Sequence, residues 1–107
     1  MTDQPGTARF AVTLAIGDEP PTVVVSGDID LANVAEFEEA MAGALDGAPA
    51  LTVDLTSVTY CDSAAVRALF ALAATTELTM LVRQTGHIKT LLGISGLDRV
   101  ATVIARE

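Results

Sequence analysis

The chain has 107 residues, half of them hydrophobic, which is enough to bury one core and too few for two domains. Its 14 acidic and 6 basic residues give a formal charge of -8, which disfavours binding to nucleic acid or to anionic lipid surfaces. A single cysteine excludes an internal disulfide, and the lack of a long apolar run or a signal peptide predicts a cytoplasmic protein without membrane insertion.

The first half of the chain predicts a flexible start, a hairpin and a helix. Residues 1–8 are mostly polar, so we expect them to be flexible. Alternating apolar residues over 10–16 predict a strand with one buried face, and a proline-containing turn leads into a more central strand over 22–26 that Gly27 ends. Apolar residues at spacings of three and four predict an amphipathic helix over 31–45.

The second half alternates between strands and helices. We predict strands over 50–54, 79–82 and 100–104, and helices over 64–76 and 87–94, with a short turn before the first of these helices. Such alternation is typical of an α/β fold. We therefore expect a mixed central sheet of four to five strands, with three or more helices packed mainly on one side.

The segment from Asp54 to Arg67 is the most informative part of the chain. It reads Asp-Leu-Thr-Ser-Val-Thr-Tyr-Cys-Asp-Ser-Ala-Ala-Val-Arg and places Ser63 at the start of a helix. A serine at this position is exposed, and its hydroxyl can cap the helix by accepting a backbone N–H bond. A phosphate on Ser63 would face the positive end of the helix dipole, so the fold could tolerate phosphorylation; an ordinary helix cap is the simpler interpretation.

This segment resembles the phosphorylation segment of STAS domains of the anti-sigma factor antagonist type. The family pattern is Asp-Leu-Ser-x-Val-x-Phe/Tyr-x-Asp-Ser-Ser/Thr-Gly, in which the serine after the aspartate is phosphorylated. Residues 26–30 resemble the family's Gly-Glu-Leu-Asp signature, and residues 91–98 resemble its late helix and Ser-Gly-Leu turn. The three segments occur in family order, which implies one STAS domain over residues 9–107.

The resemblance implies a non-enzymatic protein without a cofactor, an anti-sigma factor antagonist that acts by partner switching. Its partner would be an anti-sigma factor that is also a serine kinase. Phosphorylation of Ser63 would end the binding, and a PP2C-type phosphatase would restore it; weak homodimerisation stays open. The expected partner-binding residues are Asp28, Asp30, Asn33, Asp62, Ser63 and Arg67.

Two other functions remain open at this point. Ala64 and Ala65 stand where relatives carry Ser/Thr-Gly, which favours a non-phosphorylated STAS scaffold, such as an accessory subunit that docks on a transport ATPase. A redox sensor centred on Cys61 would need an exposed thiol with a lowered pKa, whereas a small buried residue is the simpler interpretation. His87 has no partner at metal-ligand spacing, so no metal site is expected.

Overall fold

The computed structural model describes residues 9–13 and 17–107, in which the strands form one sheet. The first two strands are antiparallel, and the remaining neighbours are parallel. The predicted flexible segment 1–8 and the end of the predicted first strand, Leu14 to Ile16, lie outside the described residues. In the order of the sheet, which is also chain order, the strands are β1 (Arg9–Thr13), β2 (Thr22–Ile29), β3 (Ala50–Cys61), β4 (Glu77–Arg83) and β5 (Thr102–Arg106).

Helices make the connections between the parallel strands. They are α1 (Val34–Leu45), α2 (Ser63–Ala73) and α3 (His87–Ser95), and a short 3-10 helix (Leu97–Arg99) follows α3. Because the strand order follows the chain, right-handed crossovers place all three helices on the same face of the sheet. The mixed five-stranded sheet with three helices confirms the predicted α/β class. None of the helices in the described part of the chain is long and apolar enough to cross a bilayer.

The core lies between this face of the sheet and the helices. Alternate residues of β2, β3 and β4 are buried, as a half-covered sheet requires. Helix residues spaced three or four positions apart form the other side of the core. The largest fully buried side chains include Val23, Val25, Ile29, Leu51, Val53, Leu55 and Met80 from the sheet and Phe37, Leu69 and Leu92 from the helices.

Strand β3 is longer than predicted. The segment after residue 54, expected to be a turn, continues as a strand to Cys61 because it pairs with β2 as far as the match between Ile29 and Cys61. Gly27 does not end β2; it sits at a register shift with a φ of 89°, and the strand goes on for two more residues. Pairing of β3 with β4 stops at Asp54 and Leu81, so the two strands separate towards their carboxyl ends.

The helix boundaries differ from the predictions in one informative place. Helix α1 begins at Val34 rather than at residue 31, because the side chain of Asp30 accepts hydrogen bonds from the backbone N–H groups of Ala32 (2.9 Å) and Asn33 (3.3 Å). Such a bond pattern holds a turn instead of a helical start. Residues 30–33 are therefore a loop on the surface, here called the β2–α1 loop.

Candidate functional site

The β2–α1 loop and the start of α2 lie side by side at the carboxyl edge of the sheet. Their closeness follows from the parallel pairing of β2 with β3, which brings Ile29 next to Cys61. The backbone N–H of Asp62 donates to the carbonyl oxygen of Ile29 at 3.1 Å and extends that pairing by one residue. Two loops that are far apart in the sequence therefore form one continuous surface.

Asp62 joins the two loops with a single carboxylate. Its Oδ1 accepts hydrogen bonds from the backbone N–H groups of Ala64 (2.9 Å) and Ala65 (3.2 Å), which makes it the N-cap of α2. Its Oδ2 accepts a bond from the backbone N–H of Leu31 at 3.0 Å. The prediction that Ser63 caps the helix is wrong, because Asp62 already satisfies the free N–H groups.

Ser63 is the first residue of α2, and its side chain is exposed. Within the described residues its hydroxyl makes no hydrogen bond, so no intramolecular contact would have to break before the oxygen could react. This position is compatible with enzymatic modification, since the side chain is exposed at the first residue of the helix. Phosphorylation of Ser63 stays a prediction.

Asp28 and Asp30, the other acidic residues of this edge, are held in place by hydrogen bonds with Asn33 and Thr59. Asn33 donates through Nδ2 to the carbonyl oxygen of Asp28 at 2.8 Å, and its Oδ1 accepts from the backbone N–H of Asp30 at 3.0 Å. The hydroxyl of Thr59 donates to the carboxylate of Asp28. Five of the predicted partner-binding residues thus lie close together: Asp28 near the end of β2, Asp30 and Asn33 in the β2–α1 loop, and Asp62 and Ser63 at the start of α2.

Two exposed apolar side chains at this edge were missed by the sequence analysis. Leu31 is 76% exposed at the tip of the β2–α1 loop, and Tyr60 is 49% exposed near the end of β3. Exposed large apolar residues beside a rim of charges are a common feature of protein interfaces. Leu31 was missed because α1 was predicted to begin at residue 31, and Tyr60 was missed because β3 was predicted to end at residue 54.

Arg67 lies one helical turn after Ser63 and is exposed. No carboxylate of the described residues pairs with it. The outer side of α2 continues through Ala71 and Ala74, both exposed, whereas Phe70 is partly buried against the core. Small alanines, and not a broad apolar strip, form this side of the helix.

Cys61 lies directly beneath the two loops and is buried. Burial raises the pKa of its thiol to about 12, with smaller contributions from the negative charges of Asp62 and Asp28. The thiol is therefore protonated at neutral pH, which disfavours a redox sensor at this position. Residues 9–13 and 17–107 contain no group of three or more metal-ligating side chains.

The family model and the similar solved structures agree on one fold. A family model described as "Mlab, STAS domain" matches residues 12–105. The fold is similar to that of an anti-sigma factor antagonist from Mycobacterium paratuberculosis, with 23% identity, a TM-score of 0.82 and coverage of 98% of this chain and 92% of that one.

Two more solved structures share the fold. A Thermotoga maritima protein provisionally described as an anti-sigma factor antagonist gives 13% identity and a TM-score of 0.71, with coverage of 91% of this chain and 86% of that one. The anti-sigma factor antagonist SpoIIAA in its unphosphorylated form gives 13% identity and a TM-score of 0.58, with coverage of 86% and 97%. No curated protein matches the chain significantly.

Proposed function

Since the chain belongs to the STAS domain family, we propose that it is an anti-sigma factor antagonist whose binding is controlled by reversible phosphorylation of Ser63. Its partner is an anti-sigma factor that is also a serine kinase, and a PP2C-type phosphatase reverses the modification. The chain itself is not an enzyme and acts in the cytoplasm through one STAS domain over residues 9–107. The likeness to anti-sigma factor antagonists supports this general role.

The observation that carries the proposal is the exposed Ser63 hydroxyl beside a surface that is already ordered. Asp62 holds the β2–α1 loop and the start of α2 together, so little conformational entropy is lost when a partner binds there. Leu31 and Tyr60 supply the apolar contacts that a partner can cover. The predicted acidic residues Asp28 and Asp30 form the charged rim and favour a partner with a basic contact surface.

Phosphorylation of Ser63 would act on this surface by electrostatics. A phosphate adds about 1.5 to 2 negative charges next to the carboxylate of Asp62. A phosphate at a helix start is usually stabilised by free backbone N–H groups, but here Asp62 already accepts from Ala64 and Ala65. The new charge therefore adds to the negative rim and repels the partner, with Arg67 as the nearest basic residue along the helix to reduce the effect.

The proposal is tested by measuring the affinity of three forms for an anti-sigma factor kinase from the same organism. We expect the wild type and Ser63→Ala to bind with similar affinity and Ser63→Asp to bind at least about tenfold more weakly, because like charges in an interface are strongly unfavourable. Leu31→Ala should also weaken binding, as loss of an apolar contact. Equal affinities of the wild type and Ser63→Asp would contradict the proposal.

A matched control separates a local effect from a general effect of charge. Ser57→Asp introduces the same negative charge at another exposed serine, on β3. We expect it to leave the affinity for the kinase within about threefold of the wild type, because four strand residues of about 3.3 Å each separate Ser57 from the end of β3, which exceeds a Debye length of about 8–10 Å. If Ser57→Asp weakened binding as much as Ser63→Asp, the effect could not be assigned to the start of α2.

A second function is favoured by two residues at the same site. Ala65, where relatives carry glycine, is fully buried, and Ala64 contributes no second hydroxyl. Both changes fit a scaffold that docks on another protein, such as a transport ATPase, without being phosphorylated. Mass spectrometry after incubation with the kinase and ATP separates the two functions, because only the partner-switching function requires a phosphate on Ser63.

A further inference from the structure

A cavity of about 300 Å³ opens on the other side of β3, away from the β2–α1 loop. It forms because β3 stops pairing with β4 after Asp54 and follows β2 instead, while α3 begins on the far side of the gap. Its apolar floor consists of the buried side chains of Leu55, Val58 and Ile88. A volume of this size is at the lower end of those that hold small molecules.

The charge around this cavity is opposite to that of the chain as a whole. Arg83, His87 and Lys89 line it, and none of the acidic side chains that the structure describes does, although acidic residues outnumber basic ones by more than two to one. None of these three side chains pairs with a carboxylate in residues 9–13 and 17–107. Arg83 and Lys89 carry like charges, so an anion bound between them would lower their electrostatic energy; the carboxylates of Asp54 and Asp28, which bond to the lining residues Thr56 and Thr59, reduce this gain but do not line the cavity themselves.

Arg83 is fixed in place at the mouth of the cavity. Its Nε donates to the carbonyl oxygen of Thr56 at 2.8 Å, where a strand partner would otherwise have donated. This bond leaves the two Nη groups of the guanidinium for a ligand, and their fork suits two oxygens of one phosphate. The hydroxyl of Thr85 and the backbone N–H groups at the start of α3, which no side chain caps, are further donors along the same wall.

We propose that this cavity binds a phosphate group, either free or as the end of a small phosphomonoester. Two cationic side chains, Arg83 and Lys89, and several further polar donors match the charge and the oxygens of a phosphate dianion better than those of a single carboxylate. In a phosphomonoester, the phosphate lies between Arg83 and Lys89, and the organic part covers Leu55 and Val58. This site is separate from Ser63 and does not depend on the proposed partner switching.

The test is a titration of the ¹⁵N-labelled full chain, followed by the amide resonances of His87 and Ile88 at constant ionic strength. We expect inorganic phosphate to shift these resonances saturably and sodium chloride to leave them unchanged. Phenyl phosphate should bind more tightly than inorganic phosphate if the apolar floor holds an organic group, whereas equal affinities assign the cavity to free phosphate. Equal, non-saturable shifts with phosphate and chloride would overturn the proposal.

Two variants and a matched control identify the residues involved. Arg83→Gln and Lys89→Gln should each weaken the binding of inorganic phosphate about tenfold or more, as expected for the loss of a hydrogen bond between charged groups. Arg99→Gln removes an exposed positive charge from the neighbouring 3-10 helix, outside the cavity, and should bind like the wild type. Unchanged affinity in Lys89→Gln, with a native spectrum, would refute the assignment.

Discussion

The two sides of β3 differ in the sign of their charge and in how that charge is used. Residues 1–62 contain 11 acidic and one basic residue, whereas residues 63–107 contain three acidic and five basic ones. Because the sheet follows chain order, β2 and α1 lie on one side of β3, and β4 and α3 lie on the other. The separation of charge along the sequence thus becomes a separation across the molecule.

The charged side chains on the two sides of β3 also differ in the hydrogen bonds that they make. On the acidic side, Asp28, Asp30 and Asp62 all accept bonds from their own chain and hold the β2–α1 loop in one conformation. On the basic side, Arg83 makes one bond to a carbonyl oxygen, and neither His87 nor Lys89 pairs with a described carboxylate. The acidic residues contribute to the shape of a surface, whereas the basic residues contribute little to the fold and remain available for a ligand.

The largest effect on stability is expected for Asp62→Ala. The change removes the N-cap of α2 and leaves the backbone N–H of Leu31 without its acceptor, so the free energy of unfolding should fall by about 2 kcal/mol. Asp62→Asn keeps an oxygen for the cap but loses the second acceptor, so its loss should be about half as large. Urea denaturation at pH 7 measures both values.

The matched control for this experiment is Asp98→Ala. Asp98 is exposed in the 3-10 helix, and its carboxylate makes no hydrogen bond within the described residues. We expect a change in the free energy of unfolding within about 0.5 kcal/mol. A loss as large as that of Asp62→Ala would mean that removing any carboxylate is harmful, and the comparison between the two sides would fail.

A smaller effect is expected from the thiol beneath the acidic side. Because the pKa of Cys61 is raised from 9.0 to about 12 in the folded chain, the folded state favours the protonated thiol. The contribution of the protonated thiol to stability is complete below pH 9. It is lost as the pH rises from 9 towards 12, by about 1.4 kcal/mol for each pH unit. Between pH 8 and pH 10 the wild type should therefore lose more stability than Cys61→Ala, by on the order of 1 kcal/mol.

The same prediction has a chemical counterpart. At pH 8 iodoacetamide should alkylate Cys61 in the native protein far more slowly than in urea, since only the thiolate reacts and the folded chain buries the thiol. Equal rates in the two states, or identical pH dependence of the wild type and Cys61→Ala, would show that the thiol is open to solvent. A redox sensor centred on Cys61 would then have to be tested.

The smallest effects are expected on the basic side. Lys89→Gln should change the free energy of unfolding by less than about 0.5 kcal/mol, because this exposed side chain pairs with no carboxylate of the described residues. Thermal denaturation in phosphate-free buffer measures the change, and the wild type provides the reference. A loss approaching that of Asp62→Ala would show that the basic side also supports the fold.

The sequence predicted those parts of the fold that depend on local patterns. Three consecutive valines indicated β2, because β-branched residues favour strands, and the spacing of Phe37 and Met41 indicated α1, because it follows the period of a helix. The end of β3 was missed because Tyr60 and Cys61 are strand residues only through pairing with β2, about 30 residues earlier. Local propensity does not contain that information.

The candidate site, like the fold, could be predicted only where it depends on local sequence. The motif around Ser63 indicated the exposed start of a helix, but the bond from Leu31 to Asp62 depends on a contact across 31 residues. The cavity beside Arg83 could not be predicted either, since it exists only because β3 and β4 separate. Functional geometry in this protein therefore arises mainly where distant segments meet.

The link between Asp62 and Leu31 also has a consequence for the newly made chain. The β2–α1 loop leaves the ribosome before Asp62 does. In a nascent chain, Leu31 is therefore exposed before the carboxylate that orders the loop is available. Only after β3 has docked against β2 do the loop and the start of α2 take up their common geometry. A regulator that recognises both segments together therefore binds only copies in which β2 and β3 have already paired.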